Sequence, residues 1–131
     1  MRILAVGVGL IGLLGAGLCS QAASAQAVSY TATQALRGLQ AFNENCMRCH
    51  GPAARGGEGP PLSGPRFDEK WRGKPAKALW GHLSNNMPYD NPGTLGKDTY
   101  VSILAYLLQL NSVAAGQQAL VEDPPGVIPG R

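Results

Sequence analysis

Residues that usually build or staple the core of a small domain are scarce in this sequence. Only 6% of the 131 residues are aromatic, whereas glycine and proline number 18 and 10. Three cysteines and two histidines leave few side chains for disulfide or metal chemistry. No run alternates between apolar and polar residues as a strand does, and no internal repeat is visible. Such a chain buries little apolar surface unless a large, flat group completes its core.

The start of the chain predicts a cleaved export signal at residues 1–25. Arg2 is a charged first region, and an apolar, glycine-rich stretch follows from 3 to 18. A small-x-small cleavage site ends at Ala25, and a second one ends at Ala27. An uncleaved membrane anchor is the alternative, but the apolar stretch is short for a span of ~20 residues. We therefore expect a periplasmic protein that meets a membrane only through this segment, if the segment is not removed.

The charge balance excludes one broad class of partner. The full chain carries 11 Lys and Arg against 8 Asp and Glu, a net charge of +3. Cleavage after Ala25 would remove Arg2 and leave about 106 residues that are almost neutral. Nothing in this balance predicts a nucleic-acid-binding protein, which usually carries a clustered basic excess.

The strongest motif is the run Cys46-Met47-Arg48-Cys49-His50. Cys-x-x-Cys-His is the attachment signature of c-type haem, in which the two thiols form thioethers with the haem vinyl groups. Side chains at i, i+3 and i+4 share one face of a helix, so the histidine lies beside the thiols. The motif predicts one covalent haem c bound through Cys46 and Cys49, with His50 as an iron ligand.

Three other interpretations of the motif remain open at this stage. A thioredoxin-like redox pair needs a β-α-β pattern that the sequence lacks. A structural zinc site usually needs four Cys or His ligands, and His82 is the only further one after cleavage. A disulfide between Cys46 and Cys49 is possible but gives His50 no role.

Helical spacing predicts a first helix and a buried last helix. Thr31 and Gln34 form a capping box, so a helix should begin near residue 32 and run into the haem motif. Gly38 lies on its apolar stripe, and a mid-helix glycine usually has a packing reason, here a close crossing with another helix. The last helix, with Tyr100–Leu110, is apolar nearly all round and therefore buried. It should start at Thr94 or Gly96 and stop at Asn111.

The middle of the chain predicts loops around one shorter helix. Residues 51–65 are too rich in glycine and proline for a helix or a strand. Residues 66–77 are polar and basic, and we interpret them as a solvated surface, with a docking patch or a propionate clamp as the alternative. Apolar residues between 76 and 83 mark a short amphipathic helix that ends at Asn85-Asn86. Met87 precedes a proline and should be extended. Residues 112–131 form a loose or wrapped tail.

In these features the chain resembles the class I cytochromes c over residues 33–111. The resemblance implies an all-α cytochrome c fold of three to four helices at residues 26–111, with loops wrapped around one covalent haem. It rests on Gly38 and Phe42 before Cys46–His50, the loop Gly59-Pro60-Pro61-Leu62-Ser63-Gly64, Met87-Pro88, and the last helix Tyr100–Leu110. In the family this last helix crosses the first one near the glycine, so the resemblance implies the same crossing here.

The resemblance also implies a ligand set. His50 would be the proximal iron ligand and Met87 the distal one, and the carbonyl of Pro60 would accept the other ring N–H of His50. A weaker match suggests that Arg66 or Trp71 reaches a propionate. We further expect apolar burial around the haem by Leu39, Phe42, Trp80, Leu83, Tyr100, Ile103 and Leu107.

The resemblance predicts an electron-transfer protein and not an enzyme. Two protein ligands leave the iron no open position, so one electron enters and one leaves. The partners would be a dehydrogenase as donor and an oxidase or another cytochrome as acceptor. Two alternatives stay open: an electron-transfer subunit fixed within a dehydrogenase complex, or an open-iron sensor or enzyme if Met87 is not a ligand.

Overall fold

The structure, a computed structural model, describes residues 25–131, so the predicted signal lies outside the described residues except for its last position. This part of the chain is helical, and the predicted all-α class is confirmed. Its elements are α1 (Ala32–Asn45), α2 (Met47–His50), a 3-10 turn (Pro52–Ala54), α3 (Pro65–Trp71), α4 (Ala76–Asn86) and α5 (Lys97–Leu110). None of the helices described here is both long and apolar enough to cross a membrane.

The predicted capping box starts α1 as expected. The Thr31 hydroxyl accepts a hydrogen bond from the backbone N–H of Gln34 at 3.2 Å, and the Gln34 side chain accepts one from the backbone N–H of Thr31 at 3.1 Å. Two N–H groups that the first helical turn cannot satisfy are thereby paired. The Gln34 amide also donates to the carbonyl of Leu120 at 2.8 Å, so the same side chain holds the tail against the start of α1.

The predicted crossing of the first and last helices is confirmed. Gly38 is buried and faces the backbone of Ser102 and the side chain of Tyr106 in α5. The rings of Phe42 and Tyr106 pack with their centroids 5.3 Å apart, a usual geometry for an aromatic pair. Eight consecutive or near-consecutive residues of α5 are buried, as its uniformly apolar sequence predicts. The contact between α1 and α5 is the most extensive one between any two elements described here.

One expectation about packing is wrong, and a second is incomplete. Leu39 was expected to bury the haem, but its side chain is 37% exposed, because α1 turns only the face with Ala35, Gly38 and Phe42 to the core. The run at 66–77 has exposed basic side chains as expected, but it also contains all of α3 except its first residue, and Phe67 of this helix is buried. A seven-residue helix with one buried side chain has no periodicity that a sequence could reveal. With α2 and α3 included, the described residues form five helices, whereas three to four were predicted.

The tail at 112–131 is wrapped and not loose. Val127 pairs with the start of the described chain, where Val28 donates to its carbonyl at 2.9 Å. Ile128 is fully buried and exchanges backbone hydrogen bonds with Gly73 and Lys74, at 2.8 and 2.9 Å. The tail therefore joins the N-terminal segment to the connection between α3 and α4.

Candidate cofactor site

The motif Cys46–His50 forms a tight helical turn directly after α1. The backbone N–H of Cys46 still bonds to the Phe42 carbonyl at 2.8 Å, while the N–H of His50 bonds to the Cys46 carbonyl at 2.9 Å. This geometry places the two thiols and the imidazole on one side of the turn. Both cysteines are free thiols and half-buried, and His50 is only 6% exposed.

The pKa of the Cys46 thiol differs from that of a redox-active pair. Burial, followed by the charge of Cys49, raises the pKa of the Cys46 thiol to about 11. A thioredoxin-like centre instead depends on a thiol with a lowered pKa. A zinc site also lacks support, since residues 25–131 contain no group of three or more His, Cys, Asp or Glu side chains placed to hold a metal ion.

One hydrogen bond orients the imidazole of His50. Its Nδ1 lies 2.8 Å from the carbonyl oxygen of Pro60. With Nδ1 used in this way as a donor, Nε2 is the ring nitrogen left for a metal. Gly59 allows the loop to lie on the ring, because a Cβ there would be 3.0 Å from both Nδ1 and Cε1 of His50.

The glycine- and proline-rich loop is held to the motif by backbone hydrogen bonds. Gly56 donates to the carbonyl of His50, and Gly59 donates to that of Cys49, each at 2.8 Å. Leu62 donates to the carbonyl of Ala54, also at 2.8 Å. The predicted loop therefore forms an ordered wall of the site, although its only regular secondary structure before α3 is the 3-10 turn Pro52–Ala54.

All five predicted site residues line one cavity of about 550 Å³. This volume lies within the range of ~300–1,000 Å³ that is usual for cofactor sites. Most of the wall is apolar, and it takes side chains from all five helices, from the loop after α2 and from the loop after α4. The lining includes Phe42, Cys46, Cys49, His50, Pro60, Leu62, Phe67, Leu79, Leu83, Met87, Ile103 and Leu107. A large planar group bound through two thioethers and a histidine fits this donor set and this apolar wall.

Met87 leaves α4 with the extended backbone that the following proline predicts. Its φ and ψ are −124° and 149°. Its carbonyl accepts a hydrogen bond from the Tyr100 hydroxyl at 2.6 Å, and its N–H bonds to the carbonyl of Leu83 at 3.1 Å. The backbone at Met87 is thus held from both α4 and α5, and its half-buried side chain lines the cavity. The sequence predicts Tyr100 as part of the apolar surround of the haem, whereas in the structure it acts through its hydroxyl, which holds the backbone of Met87.

One side of the cavity is polar. Arg66, Lys70, Trp71 and His82 belong to its lining. The Lys70 ammonium lies 4.9 Å from the centre of the Trp71 ring, and the rings of Trp71 and His82 are 5.6 Å apart. Burial, and then the charge of Lys70, lowers the pKa of His82. The two cationic side chains, Arg66 and Lys70, are suitable partners for the carboxylates of a bound group.

An ion pair joins the motif to the loop that carries Met87. The Arg48 guanidinium lies 2.9 Å from the carboxylate of Asp90. The two side chains are 79% and 64% exposed, so this pair adds little to stability. Its position nevertheless shows that the turn after α1 and the loop after α4 meet at the same edge of the cavity.

Comparison with known proteins identifies one family. A family model described as cytochrome c oxidase, cbb3-type, subunit III matches residues 33–107, more than half of the chain. The matched range starts in the first turn of α1, ends within α5 and contains all five predicted site residues. No curated protein and no solved structure matches the chain.

Proposed function

Since the chain belongs to the c-type cytochrome family described as cytochrome c oxidase, cbb3-type, subunit III, we propose that it is a single-electron carrier with His50 and Met87 as axial ligands of its haem. The family implies one covalent haem c, and Cys46 and Cys49 have the spacing that its attachment needs. The observation that carries the proposal is the placement of both thiols, His50 and Met87 around one apolar cavity.

The bound haem supplies reversible one-electron exchange between its ferrous and ferric states. His50 would hold the iron through Nε2, and its hydrogen bond to Pro60 fixes the ring orientation and the tautomer. Met87 would supply a soft thioether, which would favour the ferrous state and raise the reduction potential. The apolar wall acts in the same direction, because it disfavours the additional positive charge of the ferric state.

The same arrangement supports a carrier more than an enzyme. With His50 and Met87 both bound, a substrate has no free position on the iron. The cationic side of the cavity, with Arg66 and Lys70, would hold the propionates. Both features favour outer-sphere electron exchange with a redox protein, for which we propose a dehydrogenase as donor and an oxidase or another cytochrome as acceptor. The predicted signal at 1–25 favours the periplasm as the location.

Spectroscopy and extraction test this function directly. We expect haem to remain on the polypeptide through acidic organic extraction, because thioethers are covalent. The reduced protein should show a c-type difference spectrum that carbon monoxide scarcely changes. Cys46→Ala and Cys49→Ala should each lower the yield of haem protein sharply. Pigment that leaves the wild-type chain in the extract, or a spectrum that carbon monoxide changes fully, contradicts the proposal.

An electron-transfer subunit of a larger complex is a second candidate, favoured by the subunit named in the family description. Purification from native membranes and periplasm separates the two. A free carrier should elute alone near 13.7 kDa or slightly below, depending on signal cleavage. A subunit should co-elute with a flavin, quinone, molybdenum or oxidase partner. N-terminal sequencing of the same sample would show whether cleavage follows Ala25 or Ala27.

A further inference from the structure

His50 and Asn111 are the two residues that stand out as buried and polar within residues 25–131, at 6% and 2% exposure. Asn111 lies at the C-terminal end of α5. Its amide Nδ2 donates to the carbonyl of Leu107 at 2.8 Å and to that of Leu62 at 3.0 Å. Its Oδ1 accepts from the backbone N–H of Gly64 at 3.0 Å. Both amide protons and the oxygen are therefore satisfied, which is the arrangement that a buried amide requires.

These bonds join α5 to the loop that orients His50. Pro60 and Pro61 have no backbone N–H, so this part of the loop cannot anchor itself through donors. On the upstream side Gly59 is held by the carbonyl of Cys49. On the downstream side Leu62 bonds to Ala54, and the Asn111 amide holds the segment at two further points. The position of the Pro60 carbonyl therefore depends on these flanking contacts.

Asn111 is itself held firmly. Its backbone N–H bonds to the carbonyls of Leu107 and Leu108, both at 3.2 Å. Its carbonyl accepts a hydrogen bond from the guanidinium of Arg72, which also donates to Pro129 at 2.9 Å and pairs with Asp68. α3, α5 and the tail thus converge on this residue. An amide fixed on so many sides is suited to define where the loop lies.

We propose that Asn111 is a positioning residue for His50, acting through the loop from Pro60 to Gly64. It fixes the carbonyl that accepts the Nδ1 proton, and so it sets the orientation and the basicity of the imidazole. This inference rests on the proposed function, in which Nε2 of His50 binds the haem iron. A strong hydrogen bond from Nδ1–H to the Pro60 carbonyl makes the imidazole a better electron donor to ferric iron. A looser loop would weaken this hydrogen bond. The ferric state would then be less stabilised, so the reduction potential would rise.

The test compares variants of the haem-loaded protein. Asn111→Ala removes all three side-chain bonds, and Asn111→Ser is a smaller change that carries the same test if the alanine variant folds poorly. Tyr30→Phe is the matched control, since it removes a buried hydrogen bond to the carbonyl of Val113, two residues from Asn111, without touching the loop. The readouts are the solvent exchange of the His50 Nδ1 proton, measured by NMR in the ferrous protein, and the reduction potential.

We expect Nδ1 exchange to accelerate by about fivefold in the Asn111 variants, the factor that corresponds to the loss of one hydrogen bond, and the reduction potential to rise. In Tyr30→Phe the exchange rate and the potential should both stay at wild-type values. Either readout unchanged in both Asn111 variants overturns the inference. An equal change in Tyr30→Phe also overturns it, because general loosening would then be the cause. Failure of the proposed function is distinct, since the wild-type chain itself would then lack covalent haem or reversible one-electron chemistry.

Discussion

Gly38 of α1 lies directly against the backbone of Ser102 in α5. A Cβ at residue 38 would be 2.5 Å from the carbonyl carbon of Ser102 and 2.8 Å from the Cβ of Tyr106. Both distances are far below van der Waals contact, and the nearer obstacle is backbone that cannot rotate away. The absence of a side chain at this position is therefore a condition for the crossing that supports the cavity.

Gly38→Ala should destabilise the protein by about 3 kcal/mol, because the new methyl group forces α1 and α5 apart. Gly81→Ala is the matched control: it lies inside α4, where a Cβ would meet only Asn85 Nδ2 at 3.9 Å. That substitution should be neutral or stabilise by about 0.5–1 kcal/mol, since glycine is costly within a helix. Thermal unfolding checks both. Equal melting temperatures for Gly38→Ala and the wild type would contradict the close crossing.

The sequence predicts the parts of this fold that depend on local patterns. The capping box at Thr31 and Gln34, the glycine on the stripe of α1 and the apolar length of α5 all have local signatures. The haem motif is likewise a short, contiguous pattern. Such features can be interpreted from one chain because each has a physical reason within a few residues.

Contacts between distant parts of the chain were not predictable in the same way. In the sequence Asn111 is indistinguishable from an ordinary residue at the end of a helix. Its side-chain hydrogen bonds to Leu62 and Gly64 form only when α5 packs beside the loop. Ile128 lies in a sequence that resembles a loose tail, yet it is fully buried. Leu39 shows the reverse case, because an apolar residue near a helical stripe still lies on the exposed side.

The tail should contribute to stability through Ile128. Ile128→Ala removes a fully buried side chain and should cost about 2–5 kcal/mol. Val121→Ala is the control within the same tail, since Val121 is 54% exposed and its truncation should change the free energy of unfolding by less than about 0.5 kcal/mol. Denaturant unfolding of the two variants checks this. Similar small losses in both would show that the tail is not packed in solution.

The buried phenol of Tyr30 should make the free energy of unfolding depend on pH in the alkaline range. Burial raises the pKa of its phenol, so the unfolded chain ionises first, from about pH 10. The contribution of the neutral Tyr30 phenol to the free energy of unfolding is therefore complete below pH ~10, and it is lost as the pH rises through the folded-state pKa. Tyr30→Phe loses a hydrogen bond worth about 1 kcal/mol at neutral pH, and its deficit should shrink above pH ~10. A deficit that stays constant from about pH 7 to 11 would show that the phenol does not resist ionisation.

Met87 and His82 both line the cavity, so each is a candidate for the second protein ligand of the iron. His82 packs on Trp71 with ring centres 5.6 Å apart and lies beside Lys70, which places it in the polar side of the site. Met87 has an extended backbone held by the hydroxyl of Tyr100. This arrangement favours Met87 as the ligand and His82 as a neighbour of the carboxylates.

Met87→Ala should therefore lower the reduction potential, since the soft thioether that stabilises ferrous iron is lost. It should also let carbon monoxide bind the reduced protein and remove any weak sulfur-to-ferric-iron absorption band. His82→Ala should leave the carbon monoxide response and that band at wild-type values, because the sulfur ligand is retained. Redox titration and spectra of the two variants under carbon monoxide decide the matter. The opposite pattern would identify a bis-histidine cytochrome, with a lower potential and a different class of redox partner.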